Sequence, residues 1–251
     1  MLYKKNFQFA TIQMSNDDQK TLFERIIENS GSTKSSLHVH FVNTYVMQVA
    51  LSDENFLKIL QDDNSINVFD GKPLLKISKI MFPEGNLASQ IRGVDFMRSA
   101  FHEPTNPKLA HFLLGGSPTT LNELVNRLGT SANIVGNFSP PFQSVSQMNV
   151  DDFIERIVQS GANVVWVGLG TPKQDFIAKM ISNRTGITTL CVGAAFDFIS
   201  GSTPEAPRVF LKFGLEWFFR LITEPKRLWR RYLLGNLTLL RKLFYTKVTN
   251  T

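Results

Sequence analysis

Residues 163–196 read NVVWVGLGTPKQDFIAKMISNRTGITTLCVGAAF, and the order of patterns in them decides the fold. "NVVWVGLG" (163–170) is a short apolar, β-branched run that ends on glycines. "TPKQDFIAKMISNRTG" (171–186) has a helical pattern closed by a glycine, and "ITTLCVGAAF" (187–196) is a second apolar run. A strand with no polar face must be covered on both sides, and a helix between two such strands is the crossover that parallel pairing requires.

The same alternation spreads outward. "KLAHFLLGG" (108–116) and "SANIVGN" (131–137) read as further strands, and 117–129 and 149–161 as helices. Toward the N-terminus, 7–14, 36–42 and 65–71 read as strands. Right-handed crossovers then predict an α/β fold with a Rossmann-like, open, mostly parallel sheet. Ser117-Pro118 and Thr171-Pro172 each predict a capping hydroxyl before proline at the first helical position. The alternation stops at "GSTPEAPR" (201–208), where turn-formers and prolines cluster. Two parts are therefore expected: a Rossmann-like catalytic domain over 1–205 and a helical appendage over 206–251.

Charge divides at the same place. The chain has 251 residues and a formal net charge of +6, but residues 207–251 carry ten Lys/Arg against two Glu, and the rest is slightly acidic. A cationic C-terminus on a near-neutral body points to an anionic ligand or surface met by that end. A hydrophobic content of 43% is enough for a sizeable core. The single cysteine, Cys191, has no disulfide partner within the chain and reads as a buried structural thiol. No run reaches the roughly 18 apolar residues of a spanning helix. With no N-terminal signal pattern either, a cytoplasmic setting is expected.

In open parallel sheets ligands bind beyond the carboxyl ends of the strands. Three strand ends here are glycine-rich, with Gly115 and Gly116, Gly168 and Gly170, and Gly193. They fit either tight turns or loops that let a phosphate approach the backbone. Neither a full dinucleotide fingerprint nor a P-loop is present. Asp70 ends a strand in "NVFDGK" and reads either as an Asx-turn residue or as a general base. Asp197 lies between two phenylalanines and fits a ligand contact or a cap. The four histidines form no ligand-type cluster in the sequence, and His38 and His40 share a strand face as structural residues. There is no Asp-x-Asp pair, so a divalent metal has no obvious ligands.

The tail segment "EPKRLWRRYLLGN" (224–236) sorts on a helical wheel: Lys226, Arg227, Arg230 and Arg231 fall within an arc of about 140°, opposite Leu228, Trp229, Tyr232 and Leu233. Leu239, Leu240, Leu243 and Phe244 share one side of the next stretch. "LEWFFRLI" (215–222) is apolar nearly all round, with Glu216 and Arg220 as an i,i+4 pair, and reads as mostly buried. Basic amphipathic helices of this kind lie on anionic lipid or dock on the protein's own core. Nucleic acid fits less well, because the cations lie on apolar helices and not beside stacking aromatics on a sheet.

"VGLGTPKQDFI" (167–177), "GAAFDFISG" (193–201), "APRVFLKFGLEWFFRLITEPKRLWRRYLLGN" (206–236) and, more weakly, "NTYVMQVA" (43–50), "FDGKPL" (69–74) and "IRGVDFM" (91–97) resemble the bacterial WecG/TagA/CpsF glycosyltransferases, glycosyltransferase family 26. The resemblance covers about residues 40–245. It implies inverting, metal-independent transfer of an N-acetylmannosamine-type sugar from a UDP-sugar to a polyprenyl-diphosphate-linked saccharide, in bacterial cell-surface polysaccharide synthesis. A UDP-glucose or other hexose donor is the alternative within the family. A non-catalytic nucleotide or nucleic-acid binding module is the alternative outside it. The resemblance further implies no cofactor besides the donor, and a cytoplasmic enzyme peripheral on the inner face of the plasma membrane. It leaves a homo-oligomer open.

Carried over by position, Asp70 matches the family's base and Thr44 a polar residue beside it. Lys173 and Gln174, with Gly115, Gly116, Gly168 and Gly170, are expected to meet the nucleotide, and Arg220, Arg227 and Arg230 the diphosphate. Asn43, Arg92, Asp95 and Asp197 are expected in the donor or acceptor pocket, and Trp229, Tyr232 and Leu233 at the membrane. The chain departs from the family pattern at "GKPLLKIS" after Asp70 and at "GAAF".

Overall fold

The computed structural model describes residues 6–30, 36–102, 109–129 and 132–249, with backbone only for 227, 233, 234 and 246–249. Its first element is an antiparallel hairpin of β1 (Asn6–Phe9) and β2 (Ile12–Ser15). Residues 7–14, expected as one strand, instead reverse at Ala10, whose φ is 52°. The alternating burial of Phe7, Phe9, Ile12 and Met14 is that of a small sheet with one covered face, apart from the main sheet.

After α1 (Gln19–Ser30), the main sheet uses β3 (His38–Val42), β4 (Ser65–Phe69), β5 (His111–Gly115), β6 (Ile134–Phe138), β7 (Val164–Gly168) and β8 (Thr188–Cys191). All neighbours are parallel, in the order β4-β3-β8-β7-β5-β6. The connections carry α2 (Thr44–Ala50) and α3 (Glu54–Leu60), α4 (Lys72–Met81) and α5 (Gly93–His102), α6 (Pro118–Leu128), α7 (Val150–Gln159) and α8 (Lys173–Thr185). β3 leads to β4 on one side, while β8 arrives from β7 on the other, so the chain changes direction between β3 and β8. Their carboxyl ends form the crevice where such sheets bind ligands.

Local chemistry starts these helices as anticipated at Ser117, whose hydroxyl accepts the Thr120 N–H at 3.0 Å. Thr171 does not cap: the Thr171–Pro172 peptide is cis, Pro172 is the N-cap of α8, and the Thr171 hydroxyl accepts from the Gln174 amide.

Beyond α9 (Ala195–Ser200) lie α10 (Arg208–Phe213), α11 (Glu216–Thr223), α12 (Pro225–Trp229), a π-helical turn over Arg230–Leu234, and α13 (Gly235–Thr249). α13 packs along α2, and Leu239 and Leu243 join the core cluster of Phe9, Met47 and Phe69. Gly235 faces the Gln48 side chain there, and a Cβ would lie 2.1 Å from its amide end. The expectation of a mostly buried 215–222 fails: α11 has no buried residue, and Leu215, Phe218 and Ile222 are exposed. An all-round apolar helix needs cover on all sides, and this one touches the protein along one side only.

Candidate active site

Asp70 follows β4 and is oriented from three directions. Its N–H donates to the Val42 carbonyl at 3.0 Å. Its carboxylate accepts the Gly93 N–H at 2.9 Å and the Asn43 amide at 3.4 Å, and its carbonyl accepts the Gln90 amide at 2.7 Å. Asn43 serves two purposes, because its Oδ1 also caps α2 by accepting from Tyr45 and Val46 N–H. Burial pushes the Asp70 carboxyl above the usual range, against the Gly93 and Asn43 hydrogen bonds and the positive charges of Arg92 and Arg220.

Two cavities meet at this residue. The larger, about 730 Å³, lies over the carboxyl ends of the central strands and is lined by Gly116, Gly168, Gly170, Gly193 and Asp197 among others. The smaller, about 250 Å³, lies between α4 and the appendage and has a mainly apolar lining that includes Pro73, Ile77, Leu211, Trp217, Tyr232 and Leu239. Asn43, Asp70, Arg92, Glu216, Arg220 and Arg231 line both. The shared rim thus has two carboxylates and three guanidinium groups, and three of these charges come from the appendage.

Arg92, 10% exposed in its side chain, is held by three carboxylates: Asp95 at 2.8 Å, Glu205 at 3.0 Å and Glu216 at 3.2 Å. Burial works against its charge, but Glu216 and Asp95 outweigh burial and keep it protonated. Glu216 does not pair with Arg220 as the i,i+4 spacing suggested. It reaches Arg92, and Arg220 lies 4.0 Å from Glu224. Burial, then the negative charge of Asp70, pushes the Glu216 carboxyl up, against Arg92. The buried Nε of Arg220 has no hydrogen-bond partner among the described residues, which leaves a donor available to an anion on the rim.

Several expected site residues fall elsewhere. Arg230 is exposed, with its guanidinium 5.2 Å from the Trp229 ring, and lines neither cavity. Arg231 takes the inward position, 3.5 Å over the Tyr45 ring. The expectation for Arg230 came from the resemblance, and the wheel set both arginines on one cationic side; residues 230–234 form a π-helical turn. Tyr232, expected at the membrane, is buried against Trp217, as Leu228 one turn before it is buried. Trp229 is exposed, while the side chains of Arg227 and Leu233 lie outside the described residues.

Gly115 is a packing residue and not a lining one: a Cβ there would lie 2.6 Å from the Gly168 backbone. Asp95 serves Arg92 and lines neither cavity. Thr44 lines the smaller cavity, and Lys173 and Gln174 line the larger. Gln174 is spoken for within the protein. Its Oε1 accepts the Gly170 N–H at 3.2 Å, and its Nε2 donates to Cys191 O and Thr171 Oγ1. Lys173 donates to the Gln143 carbonyl and lies 4.1 Å from the ring of Phe142 at the cleft mouth.

Sequence reading missed Glu216 and Arg231 as site residues. It also found no histidine cluster, whereas the fold gathers His40, Asp175 and Cys191, with ligand-type atoms within 4.8 Å of one another. The sheet order supplies the reason: β3 and β8 are neighbours, although at least 146 positions separate them in sequence, from Val42 to Thr188. All three residues are buried.

Taken together, the site offers a carboxylate with raised pKa between a glycine-lined polar cleft and an apolar one, under arginines from a helical appendage. The model of the family described as "Glycosyl transferase WecG/TagA/CpsF family" matches residues 7–251, nearly the whole chain, and the protein belongs to this family of glycosyltransferases.

Proposed function

We propose that the enzyme moves a sugar of the N-acetylmannosamine type from a UDP-sugar to a polyprenyl-diphosphate-linked saccharide, with inversion and without a metal. The observation that carries this reading is the position of Asp70 on the rim shared by two cavities of opposite character. The glycine-lined cleft suits the nucleotide diphosphate, whose phosphates gain from backbone approach and helix N-termini. The apolar cavity suits the proximal part of a lipid-linked acceptor.

In this mechanism the acceptor hydroxyl attacks the anomeric carbon from the face opposite UDP, and Asp70 takes its proton as the sugar–phosphate bond breaks. Negative charge grows on the departing diphosphate. Arg220 and Arg231 lie where they can meet it with fixed, charge-assisted hydrogen bonds. Arg92 is engaged by its three carboxylates and acts as a scaffold for the rim.

A lipid acceptor requires work at a membrane surface. Among the described residues no helix is long and apolar enough to cross a membrane. The appendage does expose Val209, Phe213, Phe218, Ile222 and Trp229 beside Lys212, Lys226 and Arg230, the composition of an element that lies on anionic lipid. A panel of UDP-sugars with a synthetic polyprenyl-diphosphate-sugar acceptor, with and without EDTA, tests the reading. Transfer from UDP-N-acetylmannosamine that survives EDTA supports it. Preference for UDP-glucose corrects the sugar, and a strict Mg²⁺ or Mn²⁺ requirement refutes the role given to the arginines.

A further inference from the structure

The smaller, apolar cavity lies between two helices that start at the same place. α4 begins at Lys72, two residues after Asp70, and α13 begins at Gly235, four residues after Arg231. Both therefore set out from the charged rim and run away from it. Both also rest on one core patch: Leu74 of α4 and Leu239 and Leu243 of α13 are buried in the cluster that holds Met47 and Phe69. Pro73 and Ile77 line the cavity from α4, and Leu239 and Leu240 line it from α13. Lys72 ties α4 to the appendage above, because its ammonium donates to the Leu211 and Lys212 carbonyls at 3.0 and 3.2 Å.

On each helix the lining side continues past the cavity. At about 100° per residue, Pro73, Ile77 and Ile80 share an arc of about 60° on α4, and Asn236, Leu240 and Phe244 share one of about 80° on α13. The first two of each set line the cavity. The third stands one turn farther from the rim and faces solvent, Ile80 at 77% exposure and Phe244 at 66%. A lone exposed apolar residue is ordinary. Here two of them end the two lining stripes at matching positions, because Ile77 and Leu240 are each the sixth residue of their helix. Lys76, Lys79 and Arg241 are exposed on the same two helices. From the rim outward the order is guanidinium groups, an apolar passage, and an apolar mouth flanked by cations. That order matches an amphiphile with an anionic head, whose tail is held in a bilayer with anionic headgroups.

We infer that the apolar chain of the lipid-linked acceptor leaves the site between α4 and α13, passing Ile77 and Leu240 and emerging at Ile80 and Phe244. The core helix α4 then meets the membrane together with the appendage. The inference rests on the acceptor reading above and adds to it a path and a second lipid-facing surface. It sets aside the other course open to the chain, over the outer side of α10 and α11, where Phe213 and Phe218 are exposed. That course has apolar residues but no passage leading to the rim, whereas the cavity between α4 and α13 reaches Asp70 itself. At about 250 Å³ the passage holds only the part of the chain nearest the diphosphate. The remainder lies in lipid at the mouth, where Ile80 and Phe244 lose their contact with water.

The test uses the full chain on vesicles of anionic phospholipid, with a polyprenyl-diphosphate-sugar that carries a photoreactive group near the diphosphate end of its chain. After irradiation, peptide mapping should find cross-links in α4 at 77–80 and in α13 at 240–244. Cross-links confined to α10 and α11 overturn the path. A second arm works in detergent micelles, where vesicle binding plays no part, and compares a long-chain acceptor with a short-chain, water-soluble one. Ile80→Ser/Phe244→Ser removes apolar area only at the mouth, and both positions are exposed, so the melting temperature should hold. The ratio of kcat/KM for the long chain to that for the short chain should fall about tenfold. Val158→Ser, at a similarly exposed position on α7, should leave the ratio unchanged. A ratio unchanged in the double variant overturns the path, as does an equal fall in both variants. Transfer to the short acceptor with neither transfer to the long-chain acceptor nor any cross-link would bring down the lipid-acceptor reading and the path together, whereas transfer to the long chain with cross-links elsewhere brings down the path alone.

Discussion

Replacing Asp70 by Asn separates chemistry from architecture, because the two effects have opposite signs. Asn keeps an oxygen to accept the Gly93 N–H at 2.9 Å. It loses at most the long 3.4 Å contact from Asn43, which by its length is worth no more than about 0.5–1 kcal/mol. The chemical loss is larger: a positioned general base contributes about 10²–10⁴-fold, or roughly 3–5 kcal/mol of barrier. Stability should move the other way. Burial raises the Asp70 pKa above its unfolded value, so the unfolded chain releases this proton at lower pH than the folded one. The folded state is favoured by this group in acid, and the advantage is lost as pH rises through the folded pKa. At neutral pH the ionised Asp70 is a net cost that Asn removes. The expected result is a fall in turnover of at least about 10² on a water-soluble acceptor with UDP affinity retained. The melting temperature should be equal or higher at neutral pH, with the gain shrinking as pH is lowered. Wild-type turnover should also fall with acid at a pH above the ordinary carboxylate range. Turnover within about tenfold of wild type would refute Asp70 as base, and a clear drop in melting temperature at neutral pH would refute the account of its environment.

The appendage yields three further predictions. Arg231→Ala should cost about 2–4 kcal/mol of transition-state stabilisation in kcat/KM on the soluble acceptor, while Arg230→Ala should stay within about threefold; the reverse order would mean that the inward and outward arginines are misassigned. Gly235→Ala puts a Cβ 2.1 Å from the far end of the flexible Gln48 side chain, which can swing aside at the loss of its 3.0 Å hydrogen bond to Asn236. The melting temperature should therefore change little and turnover should stay within about threefold; a large loss of both would mean that α13 holds on α2 only with glycine here. Leu243→Ala empties a fully buried position and should destabilise by about 2–5 kcal/mol. Phe244→Ala, 66% exposed, should leave stability within about 0.5 kcal/mol and weaken co-sedimentation with anionic liposomes. Equal effects of these two neighbours in both assays would contradict the orientation of α13.

The sheet was legible because its strands announce themselves: Val164–Val167 and Thr188–Cys191 are buried on both faces, and the sequence between them has a helical period. The hairpin at 6–15 was not, because a turn at Ala10 has no glycine, proline or asparagine to mark it. Asp70 was legible as a strand-end carboxylate beside a glycine, but its two readings could not be separated without its partners, which come from Asn43, Gly93 and the appendage. The same holds for His40 and Asp175, 135 positions apart and in contact. Non-local pairing leaves no mark in local composition.

The tail gives the clearest case of a physical limit. Its periodicity correctly separates a cationic from an apolar side, yet the fold needs this segment to meet three environments: the core, the shared rim of the cavities and the exterior. A regular helix has a single register along its length, so a wheel can assign only one of them. The π-helical turn at Arg230–Leu234 changes the register between α12 and α13. Arg230 lies beside Trp229 on the outside, and Arg231 and Tyr232 face inward, over Tyr45 and against Trp217. After Gly235, α13 packs on α2. An exposed face with Trp229 and Arg230 and a charged rim thus occupy adjacent residues of one continuous helical segment. Under the proposed reading, a lipid held at the outer face brings its diphosphate-linked sugar to Asp70 within a side chain's reach of the arginines that receive the leaving group.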